Sequence, residues 1–336
     1  MKLLVFFLLL LFLSLSCRKG LNTDIITESD RTKITQISSP NDFLKEKNSI
    51  IIKDTHKIKF FVDLKIHGNY LIGNCYRTGR NVGLIWNING EFIGQIGRIG
   101  KGPGEYTSLS DIVFISENTF YGIDRARKIV NKYKIDGKNI IFIDDIDISK
   151  HFEYEEYIDN AFFTDGKFIL FIFSGNKDRD QIVILDSEWK LLRKFHKRKH
   201  SADAIVPSFA LSDNRIYIRS EFNYTKNEFY DSNIYIYDFY GKLLKTLDIK
   251  DTKSTGLDID KSNKILYLTY YNDKNMIISI YDSNGNFYKK IERENTKNLI
   301  GISYTSFYDN YIVASRIDSK FIKIALYDYN LNLEGK

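Results

Sequence analysis

The sequence predicts an all-β fold, a six-bladed β-propeller of four-stranded blades. Three observations carry that expectation. Of the 336 residues 15% are aromatic, with 23 Tyr and 24 Phe, a balance that favours strands over helices. A hairpin pattern recurs six times at a nearly constant interval. No long segment shows helical periodicity, and Pro40, Pro103 and Pro207 are the only prolines, each at a loop or strand-start position.

The clearest copy of the hairpin is Asn233 to Ile249, NIYIYDFYGKLLKTLDI. Ile234 to Tyr237 is an unbroken β-branched and aromatic run, which suits a strand covered on both faces. Asp238 and Gly241 bracket the turn: Asp accepts backbone N–H groups at its start, and Gly takes the left-handed conformation at its end. The returning strand, Lys242 to Ile249, carries Lys245 and Asp248, as a solvent-facing edge strand should.

The first-turn position is filled in succession by Asn87, Lys134, Asp186, Asp238, Asp282 and Asp328, at intervals of 47, 52, 52, 44 and 46 residues. Three positions later stand Gly90, Gly137, Trp189, Gly241, Gly285 and Leu331, so four of six copies keep the glycine. A repeat of this length is that of a propeller blade. The stretches between hairpins supply two further strands per unit: Ile58–Leu64 with Tyr70–Asn74, Asp111–Ile115 with Thr119–Ile123, Ile158–Phe163 with Lys167–Phe173, Ile205–Leu211 with Arg215–Arg219, Leu257–Ile259 with Lys264–Tyr270, and Ile300–Thr305 with Tyr311–Ser315. The sixth unit runs out of chain after Leu331, so a strand from the other terminus, Thr32–Ile37 or Ser49–Lys53, is expected to close the ring.

Ahead of the repeats, residues 1–16 hold one Lys and an apolar run from Leu3 to Leu13, too short to span a bilayer and right for a secretory signal peptide. Cys17 follows at once, and the arrangement resembles a bacterial lipoprotein signal, which implies lipidation of Cys17. Ser14 stands three residues before the Cys, where that pattern prefers Leu. Residues 17–48 are polar and read as a tether, leaving 49–336 for the propeller. With Cys17 lipidated, Cys75 has no disulfide partner, and its strand-like context, LIGNCYR, suits a buried, inert thiol.

The densest motif is GQIGRIGKGPGEY, Gly94 to Tyr106, followed by SLSDIVF and FYGIDRARKIVNKYKIDGK. Gly97 to Lys138 resembles an NHL repeat, with Asp124, Arg125, Ala126 and Arg127 one residue shorter than that pattern. The motif, the lipoprotein-like Cys17 and the six hairpins together resemble the six-bladed β-propeller lipoproteins of the Bacteroidetes (NHL/TolB-like repeats). The resemblance implies a fold and a membrane-anchored place in the cell envelope; neither family shares one activity. Surface-exported lipoproteins of that group resemble one another in an acidic cluster after the Cys. Here Arg18 and Lys19 follow it, so a periplasm-facing anchor is expected.

Chemical motifs are few. GRIGKG fails the phosphate-loop spacing, because five residues separate Gly94 from Gly100 and Gly102 follows Lys101. The basic run from Lys190 to His200 reads as a solvated outer strand and loop, and the acidic stretches at Asp144–Asp147 and Glu153–Glu156 lack calcium-loop spacing. The formal net charge, +6, is spread along the chain and points to no nucleic-acid partner. No metal or other cofactor is expected.

The expected function is a non-enzymatic envelope scaffold that binds a protein, peptide or glycan. The ligand-binding candidates are Arg98, Lys101, Glu105, Tyr106 and Asp111, on the connection between the first and second units. The alternative is a metal-dependent, lactonase-like hydrolase or lyase with its site at the central channel.

Overall fold

The computed structural model describes residues 45–53, 58–77, 80–174, 179–197, 204–205, 209–212, 214–219, 222–223, 228–229, 233–249, 256–259, 265–271, 275–282, 284–294, 311–317 and 322–328. The expected strands at Thr32–Ile37 and Ile300–Thr305, the signal segment and Cys17 lie outside them. One 3-10 turn, Ser149–His151, is the only helix among the described residues, and none is long and apolar enough to cross a membrane.

The first described strand is β1 (Lys45–Ile52), which belongs to the last blade. Blade one is β2 (Ile58–His67), β3 (Tyr70–Arg77), β4 (Arg80–Asn87) and β5 (Phe92–Ile96). Two short parallel strands follow, β6 (Arg98–Ile99) and β7 (Glu105–Tyr106). Blade two is β8 (Leu109–Phe114), β9 (Thr119–Asp124), β10 (Ile129–Asp136) and β11 (Asn139–Asp147). Blade three is β12 (Glu156–Thr164), β13 (Lys167–Ser174), β14 (Asp180–Asp186) and β15 (Leu191–Lys197). Then comes β16 (Ala204–Ile205), before blade four begins with β17 (Phe209–Ser212) and β18 (Arg215–Arg219). The short strands β19 (Phe222–Asn223) and β20 (Glu228–Phe229) interrupt that blade, which resumes with β21 (Asn233–Asp238) and β22 (Leu243–Asp248). Blade five is β23 (Gly256–Ile259), β24 (Ile265–Tyr271), β25 (Asn275–Asp282) and β26 (Phe287–Glu294). Blade six has β27 (Tyr311–Ile317) and β28 (Ile322–Asp328), with β1 paired antiparallel to β28 as its outer strand.

In the five blades that run within one stretch of chain, four antiparallel strands follow in sequence order from the innermost to the outermost. The closing strand is the one that overlaps Ser49–Lys53, and it begins at Lys45, within the stretch expected as tether. Packing closes the same seam. Ile50 and Ile52 are buried in a cluster with Leu71, Cys75, Leu84 and Trp86 of blade one. Similar apolar layers join blades one and two (Ile85, Ile96, Leu109, Phe120, Tyr133) and blades two and three (Tyr121, Val130, Phe168, Trp189). Further layers join blades three and four and blades four and five, so among the described residues the core is a series of layers between blades, with blades one to four each buried on two faces.

The turns follow the expected chemistry at four copies. Asn87, Asp186, Asp238 and Asp282 each accept, through one side-chain oxygen, the backbone N–H groups two and four residues on, at 2.7–3.0 Å. Gly90 sits at φ +83°, and a Cβ there would stand 2.3 Å from the Ile51 carbonyl oxygen of β1, so the first turn packs directly on the closing strand.

Two expectations needed correction. Lys134 does not start a turn: β10 runs on to Asp136, which pairs with Asn139 across a tight two-residue turn, because the irregularity in this hairpin lies at Lys132/Tyr133 rather than next to the turn. The expected strand Ile205–Leu211 is split. Ile205 pairs with Phe222 in a small separate sheet, and only β17 belongs to the blade. The third turn puts a non-glycine, Trp189, at φ +63°.

Candidate binding face

Connections into the innermost strands and those between second and third strands emerge at the same ends of the blades, so they share one face. The GKGPGEY loop, which joins outer β5 to inner β8, lies there. So do the residues after Asp124, between β9 and β10.

The loop and those residues hold each other. Asp124 is completely buried, and its carboxylate accepts the Thr107 N–H at 2.6 Å, the Thr107 hydroxyl at 2.9 Å, and the N–H groups of Ala126 and Arg127 at 3.2 and 3.1 Å. In return Arg127 and the Asn131 amide donate to the Glu105 carbonyl, and the Tyr133 hydroxyl donates to the Gly104 carbonyl at 2.9 Å. Glu105 turns its carboxylate inward to accept the Gly102 N–H at 2.7 Å and to pair with Arg98. A Cβ on Gly100 would stand 2.0 Å from that carboxylate, so a side chain there would push the Glu105 carboxylate off its bond to Gly102. The Gly102 hydrogen bond, then Arg98, holds the Glu105 carboxyl below its ordinary range.

The five candidate residues are not brought into one cluster. Arg98 and Lys101 are exposed, and Arg98 shares an ion pair with Glu105 inside the loop. Tyr106 is buried in the layer between blades one and two, 1% exposed, with its hydroxyl facing the Gly83 backbone without a well-formed hydrogen bond. Burial pushes that hydroxyl up to about 12. Asp111 is buried on innermost strand β8, where it accepts Lys65 Nζ of blade one at 2.5 Å, its neighbour Ile112 N–H at 2.6 Å and the Ala161 N–H of blade three at 2.8 Å. It ties three blades together near the axis, and Lys65 Nζ also lies 5.5 Å from the Phe162 ring centre. Among the described residues no three His, Cys, Asp or Glu side chains converge as metal ligands would.

A second region on the same face has no counterpart among those candidates. Between blades three and four lies a cavity of about 50 Å³ lined by Asp159, Phe171, Phe173, Gln181 and Phe209 with Ile172 and Ile182. Gln181 is 5% exposed, and its amide oxygen has no hydrogen-bond partner. At the rim Arg125 pairs with Asp159 at 3.3 Å and lies about 6 Å from the ring centres of Tyr157 and Phe173. Phe171 and Phe209 stack at 3.4 Å across the seam. Nothing in the local pattern around Gln181 marks it, because its surroundings come from strands of two blades. The bulge at Ile158/Asn160, which frees Asp159 from the ladder, is likewise invisible before pairing is known.

Solved structures with a similar fold include a provisionally named exported protein from Bacteroides fragilis, with a TM-score of 0.58 and 15% identity over 85% of this chain and 96% of that one. A member of the DUF4221 family from Bacteroides vulgatus gives 0.55 at 11% identity, covering 84% and 97%. The Dos1 propeller gives 0.51 at 11% identity, covering 80% and 78%. At such identities these likenesses concern the fold alone. No curated protein matches the sequence. The sequence does match, over residues 26–315, the family described as 6-bladed beta-propeller, and the chain belongs to that family, DUF5128.

Proposed function

We propose that the protein is a non-enzymatic binding scaffold of the cell envelope, anchored by a lipid on Cys17 and facing the periplasm. Its ligand is an envelope protein, a peptide or a glycan, taken on the face that carries the GKGPGEY loop. The observation that carries this reading is the cavity between blades three and four, where a buried amide oxygen lacks a donor beside the Arg125–Asp159 pair and a set of aromatic rings. A buried polar atom left unmatched costs about 1–3 kcal/mol, which a ligand N–H or O–H recovers. By contrast, Glu105, Asp111 and Asp124 already serve the fold. Thr107, Arg127 and Asn131 are engaged in the same way.

The test is a thermal-shift screen of the purified protein against glycans and peptides, paired with metal analysis. A ligand that raises the melting temperature of the parent but not of Gln181→Met supports the reading, since binding to the native state raises apparent stability. A stoichiometric divalent ion that is required for hydrolysis of a lactone would overturn it in favour of the enzyme. Acylation of Cys17 is read by mass spectrometry of protein extracted from membranes. Protease shaving that removes the protein from intact cells would refute the periplasmic orientation.

A further inference from the structure

We propose that the opposite rim of the ring, formed by the turns before the outer strands and the first residues of those strands, docks on an anionic lipid surface. The proposal rests in part on the lipid anchor proposed above. Single exposed apolar residues are ordinary on any protein surface. Here, however, they recur in register. Directly after the turns stand Phe92 in blade one, Leu191 and Leu192 in blade three, Leu243 and Leu244 in blade four and Phe287 in blade five, all 38–57% exposed. The same position in successive blades of a ring is the same edge, so these side chains form one discontinuous apolar band. Tyr240, 73% exposed in the turn of blade four, extends it.

Basic side chains are interleaved with the band. Arg193 follows the leucine pair of blade three, Lys242 precedes that of blade four, and Lys290 follows Phe287; all three are exposed, while Lys190 is paired with Glu188 in its turn. Apolar groups that enter the headgroup region beside cations that meet anionic lipid are the combination an interfacial site uses.

The chain's entry point agrees. Lys45 of β1 lies opposite Asp328, the turn end of β28, so the segment from Cys17 reaches the ring at this rim. That segment, residues 17–44, spans roughly 95 Å at most when fully extended. A lipid at Cys17 therefore tethers the ring through this rim within reach of the bilayer, and the apolar band and its cations decide which face docks. The GKGPGEY loop and the Gln181 cavity then point away from it, free for a ligand.

The test uses the chain from residue 17 on with Cys17→Ser, which removes the acyl group and leaves the rim intact. Co-sedimentation is measured with phosphatidylcholine vesicles, with and without phosphatidylglycerol. The expected result is partition onto the anionic vesicles that falls with added salt. Leu192→Glu with Leu244→Glu should weaken it tenfold or more. Lys242→Gln should weaken it roughly fivefold. Lys150→Glu, an exposed position on the connection between β11 and β12 on the other face, should leave it unchanged. Unaltered circular dichroism shows that the variants fold. Failure of the acyl-free chain to bind anionic vesicles, or rim variants that bind as the parent does, overturns the proposal. Mass spectrometry of Cys17 decides the anchor separately, so loss of one does not imitate loss of the other.

Discussion

Replacing Trp189 by Gly pits two effects against each other. Trp189 holds the turn position that glycine fills in blades one, four and five, at φ +63°. A non-glycine residue in the left-handed region costs about 1–2 kcal/mol, and Gly removes that strain. Against this, the indole is 3% exposed, stacked on Phe168 at 3.7 Å and set edge-on to Tyr121 at 5.0 Å, sealing the layer between blades two and three. Truncating a buried Trp costs about 3–5 kcal/mol. The indole N–H has no partner, so no hydrogen bond is lost with the ring. Burial wins, and Trp189→Gly is expected to destabilise by about 2–3 kcal/mol after the strain is credited. Trp189→Ala loses the same ring and keeps the strain, so it should be worse than Gly by about 1 kcal/mol. Urea unfolding followed by far-UV circular dichroism measures both. A Gly variant as stable as the parent, or an Ala variant as stable as Gly, would refute the argument.

Gly90→Ala meets strain and the Ile51 carbonyl together, whereas Gly137, at φ +60°, has no atom within 4 Å of a Cβ; urea midpoints should place Gly137→Ala near 1 kcal/mol and Gly90→Ala clearly beyond it. Tyr133→Phe removes the donor to the Gly104 carbonyl and should cost about 1 kcal/mol, while Tyr106→Phe, whose hydroxyl lacks a well-formed bond, should be nearly neutral. Burial raises Tyr106 and Tyr237 from 10 to about 12, so the folded state holds their protons longer than the unfolded one. Stability is then full below pH 10 and falls as pH rises from 10 towards 12, and Tyr106→Phe should flatten that slope in unfolding measured across this range. Glu105 runs the other way. Its lowered pKa gives the loop stability that is present above the ordinary 4.5 and lost as pH falls below it, so the exchange protection of the Gly102 amide, corrected for the intrinsic pH dependence of exchange, should fall on acidification in the parent and show no such step in Glu105→Gln.

What could be read beforehand depended on distance along the chain. The turn at Asp238 is closed by bonds to residues two and four positions on, and the strand before it is marked by its own β-branched and aromatic run, so both are visible in a short window. The same logic misplaced the second turn. The Lys134–Gly137 spacing matched, but the extra residue in that hairpin is Ile143 of β11, opposite the Lys132/Tyr133 step, and only strand pairing shows it. Among the candidate residues, Glu105 and Asp111 were singled out for their chemistry, and their surroundings explain where that chemistry goes. Asp111 meets Lys65 and Ala161, which are 46 and 50 residues away. Gln181 escaped notice because an amide on a strand has no signature until a neighbouring blade leaves its oxygen unmatched.

The sequence by itself determined the six-fold repeat, the alternation of strand and turn, and the glycine- and aspartate-based turn chemistry, because hydrogen bonds within a hairpin and the two-residue side-chain period of a strand are local. Only the tertiary structure decided that β1 completes the last blade, that Trp189 exchanges backbone ease for a buried stack, and that Asp124 and Glu105 hold a loop in place. Each of these depends on which surfaces meet when the blades pack side by side, and that is set by the summed burial of layers drawn from distant parts of the chain.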